Sequence, residues 1–326
     1  MVIVWRQHLR VNAITDKGDE GQASGGGCIP GGGGPAFLFL ESARNSLPVL
    51  IGAPHGGRRY PAAMRETMRG GDATRLRLED RHIDTLVREL TAATGAACLL
   101  AEAPRAMIDL NRASDDIDWS MIAGKPRTSL PPHSLANRRA RSGLGLIPRR
   151  LSGLGEIWKQ PLSHADLERR IAGIHRPYHQ KLSQELMRLR DEWGAVLLLD
   201  VHSMPPLRKR YPGEEPADIV VGDRFGASCE AELSAQALSY LTEQGRRVAH
   251  NRPYSGGFIL DSHTAPGRGV HGIQIEICRS LYLDAQFDQP TARMGAVVKL
   301  LAGLVRGLAQ RVADLGSGQI LPLAAE

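Results

Sequence analysis

Aromatic residues are scarce in this chain, at 5% of 326 residues, and cysteine is little used. Cys28, Cys98, Cys229 and Cys278 lie far apart with no CxxC spacing, which argues against a zinc–thiolate site and against a disulfide framework. Reduced thiols in a cytoplasmic protein are the expectation. The start of the chain, MVIVWRQHLR, lacks the apolar stretch of a signal peptide. No apolar run approaches the roughly 20 residues that span a bilayer, so no membrane is expected as a partner. The net charge is +6, with basic clusters at Arg138-Arg139-Ala140-Arg141, Arg149-Arg150 and Arg208-Lys209-Arg210. Few aromatics stand beside them to stack on bases, so a small anion is expected as partner rather than nucleic acid. Three common motifs are missing as well. No GK[ST] follows the glycine run GGGCIPGGGGP, no GxSxG elbow exists, and no HExxH pair occurs.

What is present suits an α/β chain: 42% hydrophobic residues, 36 glycines and apolar runs that alternate with helical periodicity. Residues 1–35 are polar and glycine-rich and read as a flexible arm; 36–326 read as a single domain. PVLIGAP (48–54), AACLLAE, MIDL (107–110), AVLLLDV, DIVVGD (218–223) and HGIQIEIC (271–278) read as strands. LEDRHIDTLVRELTAAT (78–94) reads as a helix with Asp80 as its N-cap, and SHADLERRIAGIH as another with Ser163 and Asp166 as a capping box. Pro177 starts a helix over PYHQKLSQELMRLRDEW, and the last helix covers about 291–315. Residues 112–160 form a long loop-like excursion. The expected fold is a mostly parallel or mixed sheet with helices on both faces.

Polar residues gather where these strands end, the edge at which open α/β sheets bind ligands. His55 follows PVLIGAP, while Asp200 and His202 close AVLLLDVH. Two imidazoles and one carboxylate make a catalytic zinc set with a position left for water. Asp80 and Asp84, four apart, both offer that carboxylate, one as ligand and the other in support. Asp200 stands two residues before His202 and shares its strand face, so it can orient that ring. Each histidine alone better suits a turn or a satisfied strand end; two of them, with an acid inside a third strand, favour a metal. That acid is Glu276, a residue type that zinc hydrolases use as general base; pairing with Arg279 is its plainer role. Arg105 and Asn111-Arg112 flank MIDL and can grip a carboxylate or an oxyanion. HRPYH (175–179) has His-x-x-x-His spacing but no glutamate and a proline inside it, which weakens it as a metal site. His202-Ser203 without an elbow does not make a serine hydrolase.

The ordered motifs APHGGRRYP, EDRHIDTLV, RAMIDLNR, GLGLIPRR, PYHQKL, LLLDVHSM, DIVVGDRFGASC, NRPYSGGFI and GIQIEICRSLY resemble the N-formylglutamate amidohydrolase family, over about residues 48 to 284. The resemblance implies a three-layer α/β/α sandwich with a mixed sheet, like that of zinc carboxypeptidases. It implies one Zn2+ per chain, or another divalent ion, held by His55, His202 and either Asp80 or Asp84. It gives Glu276 as catalytic acid/base, Arg105 as oxyanion stabiliser and Asn111-Arg112 as the grip on the substrate carboxylate, with Tyr254 over the site. The implied reaction is hydrolysis of N-formyl-L-glutamate to formate and glutamate, a step of histidine degradation. A related deacylase with another acyl group, or a non-catalytic anion binder, remains the alternative. Where zinc carboxypeptidases carry His-x-x-Glu, the third residue after His55 is Arg58.

Overall fold

Aliphatic runs without a polar break must be covered on both faces, and here they meet in one central sheet. The structure is a computed structural model and describes residues 23–41, 47–124, 138–209 and 211–320. The sheet strands are β1 (Ala23–Gly26), β2 (Phe37–Leu40), β3 (Val49–Ala53), β4 (Ala97–Ala101), β5 (Val196–Met204), β6 (Ile219–Gly222), β7 (Val248–His250) and β8 (Val270–Cys278). They form an eight-stranded sheet in the order β1-β2-β4-β3-β5-β8-β6-β7. The pairs β4–β3, β3–β5, β5–β8 and β6–β7 are parallel. The pairs β1–β2, β2–β4 and β8–β6 are antiparallel, so the sheet is mixed, as expected.

Side chains alternate across each strand and feed two separate cores. On one face Val49, Ile51, Leu197, Leu199, Ile273 and Ile275 pack against α1 (Ile83–Thr94), α4 (Ala231–Glu243) and α6 (Met294–Ile320). On the other, Leu50, Leu99, Val196 and Leu198 pack against α2 (His164–Arg170), α3 (Arg176–Trp193) and α5 (Phe258–His263). Each fully buried aliphatic side chain contributes about 1.5–3 kcal/mol, so the two layers hold the sheet from both sides. The result is an α/β/α sandwich.

Four expectations need correction. Of the arm predicted over 1–35, residues 23–26 form the edge strand β1 and 27–35 the loop that leads into β2, with Ile29 buried; 1–22 lie outside the described residues. MIDL is not a strand. The amides of Met107 and Ile108 bond to Pro104 O and that of Asp109 to Leu146 O, so the segment turns instead of pairing with the sheet. Asp80 does not cap α1, whose entry residue is His82 in a left-handed conformation, φ 59°. Asp80 sits in the turn before it, where its N–H bonds to His55 O at 3.0 Å. The last correction concerns Pro177. It does not start a separate helix; α2 continues through a wider π turn, Ile171–His175, into α3. Pro177 has no N–H to offer the carbonyl four residues back, and Gly173 O bonds instead to Cys28 N at 2.8 Å. The Ser163–Asp166 capping box is present as predicted, with Asp166 N donating to Ser163 Oγ at 3.1 Å.

Candidate active site

The site grows out of the alternation in β5. Val196 and Leu198 point into the second core, and the next two residues on that face are Asp200 and His202. The apolar floor thus becomes polar without any change of backbone direction. On the neighbouring strand, Gln274 lies opposite Asp200 and Glu276 opposite His202 in the parallel register, so all four share one face. His55 stands in the turn after β3, the strand that pairs with β5 on its other side.

Three donor atoms converge here. His202 Nδ1 lies 3.0 Å from Asp80 Oδ2, and His55 Nδ1 lies 3.5 Å from the same oxygen. Among the described residues, His55, Asp80 and His202 are the one His/Cys/Asp/Glu trio whose ligating atoms all fall within 4.8 Å of one another, and all three residues are buried. The far nitrogens are anchored. His55 Nε2 meets Asp109 Oδ1 at 2.7 Å, and His202 Nε2 meets Asp200 Oδ2 at 3.0 Å. An imidazole whose outer N–H is held by a carboxylate presents its other nitrogen as a fixed lone pair. His55 Nδ1 is moreover buried with no hydrogen-bond partner, an arrangement that a bound cation would satisfy. Two imidazoles and one carboxylate fit zinc or a similar borderline divalent ion.

Several buried charges crowd this cluster. Burial works against the Asp80 carboxylate, but the adjacent His202 and His55 imidazoles hold it well below the usual range. Asp109 is likewise held low against its burial, chiefly by Arg105, with His55 and Arg112 adding to it. Burial pushes Glu276 up to about 7, with Asp80 and Asp200 adding to the effect and His202 and Arg105 opposing it. Gln274 Nε2 donates to Glu276 Oε1 at 3.0 Å and orients the carboxyl. Its expected alternative partner, Arg279, turns away and donates to Ser203 Oγ at 3.1 Å and to Leu76 O at 2.9 Å. Ser203 in turn donates to Asp80 Oδ1 at 3.2 Å, so it steadies the cluster from beneath.

The trio opens into a cleft of about 330 Å3 lined by six arginines: Arg77, Arg105, Arg112, Arg139, Arg224 and Arg279. Arg105 Nε donates to Asp109 Oδ2 at 3.0 Å. Arg112 donates from Nε to Leu144 O at 3.0 Å and from Nη1 to Asn111 O at 2.6 Å. Its guanidinium pKa is lowered by burial and by the neighbouring cations Arg105 and Arg139, against the pull of Asp109. An incoming carboxylate would relieve that strain. Asn111 lies between the cleft and α5: its Oδ1 accepts from Ile259 N at 2.9 Å, and its Nδ2 is 3.5 Å from His202 Nε2. Tyr254 lines the cleft too, its phenol pKa raised by burial and by Glu276 and Asp80.

Of the residues singled out in sequence, the fold brings together His55, Asp80, His202, Glu276, Arg105, Asn111, Arg112 and Tyr254. Asp84 is not among them. It pairs with Arg58 at 2.8 Å in the first turn of α1, which separates the two aspartates. Arg58, the residue in the His-x-x-Glu position, therefore occupies the carboxylate that competed with Asp80. Asp109 was missed, although it touches both His55 and Arg105. The available signal was an acid inside an apolar run, as at Glu276.

Comparison with known proteins identifies relatives over most of the chain. The family model described as N-formylglutamate amidohydrolase matches residues 47–283. A relative from Pseudomonas aeruginosa, N-formylglutamate deformylase, is 30% identical over 286 residues, 85% of this chain and 97% of its own length. Another of that name from Pseudomonas putida is 32% identical over 250 residues, 75% of this chain and 85% of its own length. The crystal structure of N-formylglutamate amidohydrolase from Ralstonia eutropha JMP134 superposes with a TM-score of 0.75 at 32% identity, covering 86% of this chain and 99% of its own. The match runs from the strand that delivers His55 to the segment just beyond Glu276, and by it the chain belongs to the N-formylglutamate amidohydrolase family.

Proposed function

We propose that the chain hydrolyses N-formyl-L-glutamate to formate and L-glutamate, with a divalent ion, zinc by preference, held by His55 Nδ1, Asp80 and His202 Nδ1. The observation that carries this reading is the convergence of those three donors beside Glu276 at the floor of an arginine-lined cleft. Zinc supplies Lewis acidity that allows water to ionise near neutrality. Glu276 takes the proton from that water as its oxygen attacks the formyl carbon. Arg105 donates to the tetrahedral oxyanion. Glu276 then returns the proton to the departing amine, which leaves as glutamate.

The substrate carries two carboxylates, and the cleft offers separate cations for them. Arg112, with Asn111 beside it, takes the α-carboxylate. Arg139 takes the distal one; among the described residues it has no ion-pair partner, unlike Arg149, which is engaged by Asp118 at 2.9 Å. Tyr254 closes the cleft and donates its hydroxyl to substrate. The relatives of known name support the formyl group, and the cleft charges support a dianion.

Metal analysis of the purified protein, joined to a formate-release assay, tests the proposal. N-formylglutamate should be preferred over N-acetyl- and N-succinyl-glutamate, and a chelator should abolish turnover that zinc restores. Turnover that survives metal removal would exclude this mechanism.

A further inference from the structure

Behind the cleft lies a cluster of three histidines that the mechanism does not use. His175 ends the π turn and His179 stands one turn later on α3, with ring centroids 4.2 Å apart. His263 ends α5, and its ring lies edge to edge with that of His179, centroids 5.1 Å apart and 2° between the planes. Their hydrogen bonds fix the protons. A carbonyl only accepts, so the nitrogens facing carbonyls carry hydrogen. His179 Nε2 thus donates to Leu110 O at 3.0 Å and His175 Nε2 to Arg112 O at 2.9 Å. The neutral His179 ring then has Nδ1 as an acceptor, and it is His263 Nε2 that donates to it at 2.8 Å. Burial keeps the set neutral: it lowers His175, takes His179 to about 2 with help from the other two rings, and takes His263 to about 4.

The two carbonyls that receive these bonds flank Asn111. From the opposite side that residue is held by Asp109 Oδ1, which accepts Asn111 N at 2.9 Å, and by Ile259 N. His263 and Ile259 belong to the same short helix, directly after the Tyr254–Gly257 wall of the cleft. Gly257 leaves no room for slack, since a Cβ there would lie 2.6 Å from Asn111 Oδ1. The ladder therefore joins two walls of the cleft through one strut.

We propose that His175, His179 and His263 are positioning residues that hold the 110–112 backbone, and the 254–263 wall against it, so that Arg112 meets the substrate carboxylate. This rests on the reading of Arg112 as the carboxylate grip. A carboxamide carries a donor and an acceptor at about the spacing of the two ring nitrogens, so glutamine can replace His179 where alanine cannot. His179→Ala should raise KM for N-formylglutamate by about tenfold with kcat within about threefold, the mark of lost ground-state binding. His179→Gln should bring KM back to within about threefold of the wild type. An unchanged KM in His179→Ala, or equal impairment in the alanine and glutamine variants, overturns the proposal.

Two readouts do not depend on turnover. Nitrogen NMR of the wild type should show all three rings as neutral Nε2–H tautomers, and Nδ1–H tautomers or imidazolium would overturn the ladder. Backbone hydrogen exchange at residues 109–112 should be faster in His179→Ala and restored in His179→Gln; no difference would overturn it. If the wild type released no formate, the substrate assignment would fail while these two measurements still decided the ladder.

Discussion

A carboxylate that takes a proton from water and later returns it works best with a pKa near the working pH. Glu276 reaches that condition through burial, which lifts it to about 7 although His202 and Arg105 pull it down. The base form is the deprotonated one, and a bound divalent cation would favour it, so kcat/KM should rise with pH along an acid limb at or below about 7 and fall on acidification. Glu276→Gln should keep its metal and lose about 10²- to 10⁴-fold in kcat, with the acid limb of the profile removed. Metal analysis with a pH–rate series checks both, and a fully active glutamine variant would remove Glu276 from the reaction. The residue scale is also where the sequence was most informative. His55, His202 and Glu276 stood out together, because two imidazoles at strand ends and an acid inside a third apolar strand point to one site. The choice between Asp80 and Asp84 stayed open, because helical spacing places both on one face. It was the Arg58 ion pair, 26 positions back along the chain, that drew Asp84 away. Spacing carries no information about such a partner.

At the scale of elements, the central strands were legible and the edges were not. PVLIG, AVLLLDV and GIQIEIC are long enough, and rich enough in branched residues, to admit no other structure. β1 and β7 are short and poor in large apolar residues, so they become strands only because a neighbour offers its edge. MIDL misled because its three apolar residues carry no signal of the Pro104 turn that folds them. The join between β1 and the α2–α3 helix was illegible for a similar reason. It depends on a carbonyl freed by Pro177 and on two glycines that let backbones touch. Gly27 is left-handed at φ +65°, and a Cβ at Gly173 would lie 2.7 Å from Cys28 O. Opposing effects meet at Gly173. Alanine gains about 1 kcal/mol of helix propensity, but forcing a methyl against a fixed carbonyl costs about 1–3 kcal/mol. The clash wins, so Gly173→Ala should lose about 1 kcal/mol in denaturant unfolding and cleave faster near residues 23–36 under limited proteolysis. A variant more stable than the wild type would show that the segment is not docked as described.

The whole molecule carries a net charge of +6, and the sequence alone could not say whether that excess coats the surface or serves a site. The fold answers by gathering six arginines from distant segments around one cleft. They are not equivalent. Arg105 is committed to Asp109, Arg224 to Asp261 and Arg279 to the turn that carries Asp80. Among the described residues, Arg77 is bonded only to a carbonyl, that of Ser152, at 2.8 Å. Arg139, exposed near the mouth, is uncommitted among the described residues and raises the cost of keeping Arg112 charged. A cation in that position lowers its energy most when a second carboxylate arrives, which is what separates N-formylglutamate from N-formylalanine. Arg139→Ala should therefore raise KM for the glutamate substrate by about three- to tenfold, a range discounted for solvent screening at an exposed site. KM for N-formylalanine should hardly move. Raising the salt concentration should shrink the wild type's preference for the dianion and leave that of the variant nearly unchanged, because an exposed charge is screened within a Debye length of about 8 Å. Equal effects of the substitution on the two substrates would mean that Arg139 acts through the general field of the cleft and not on the distal carboxylate.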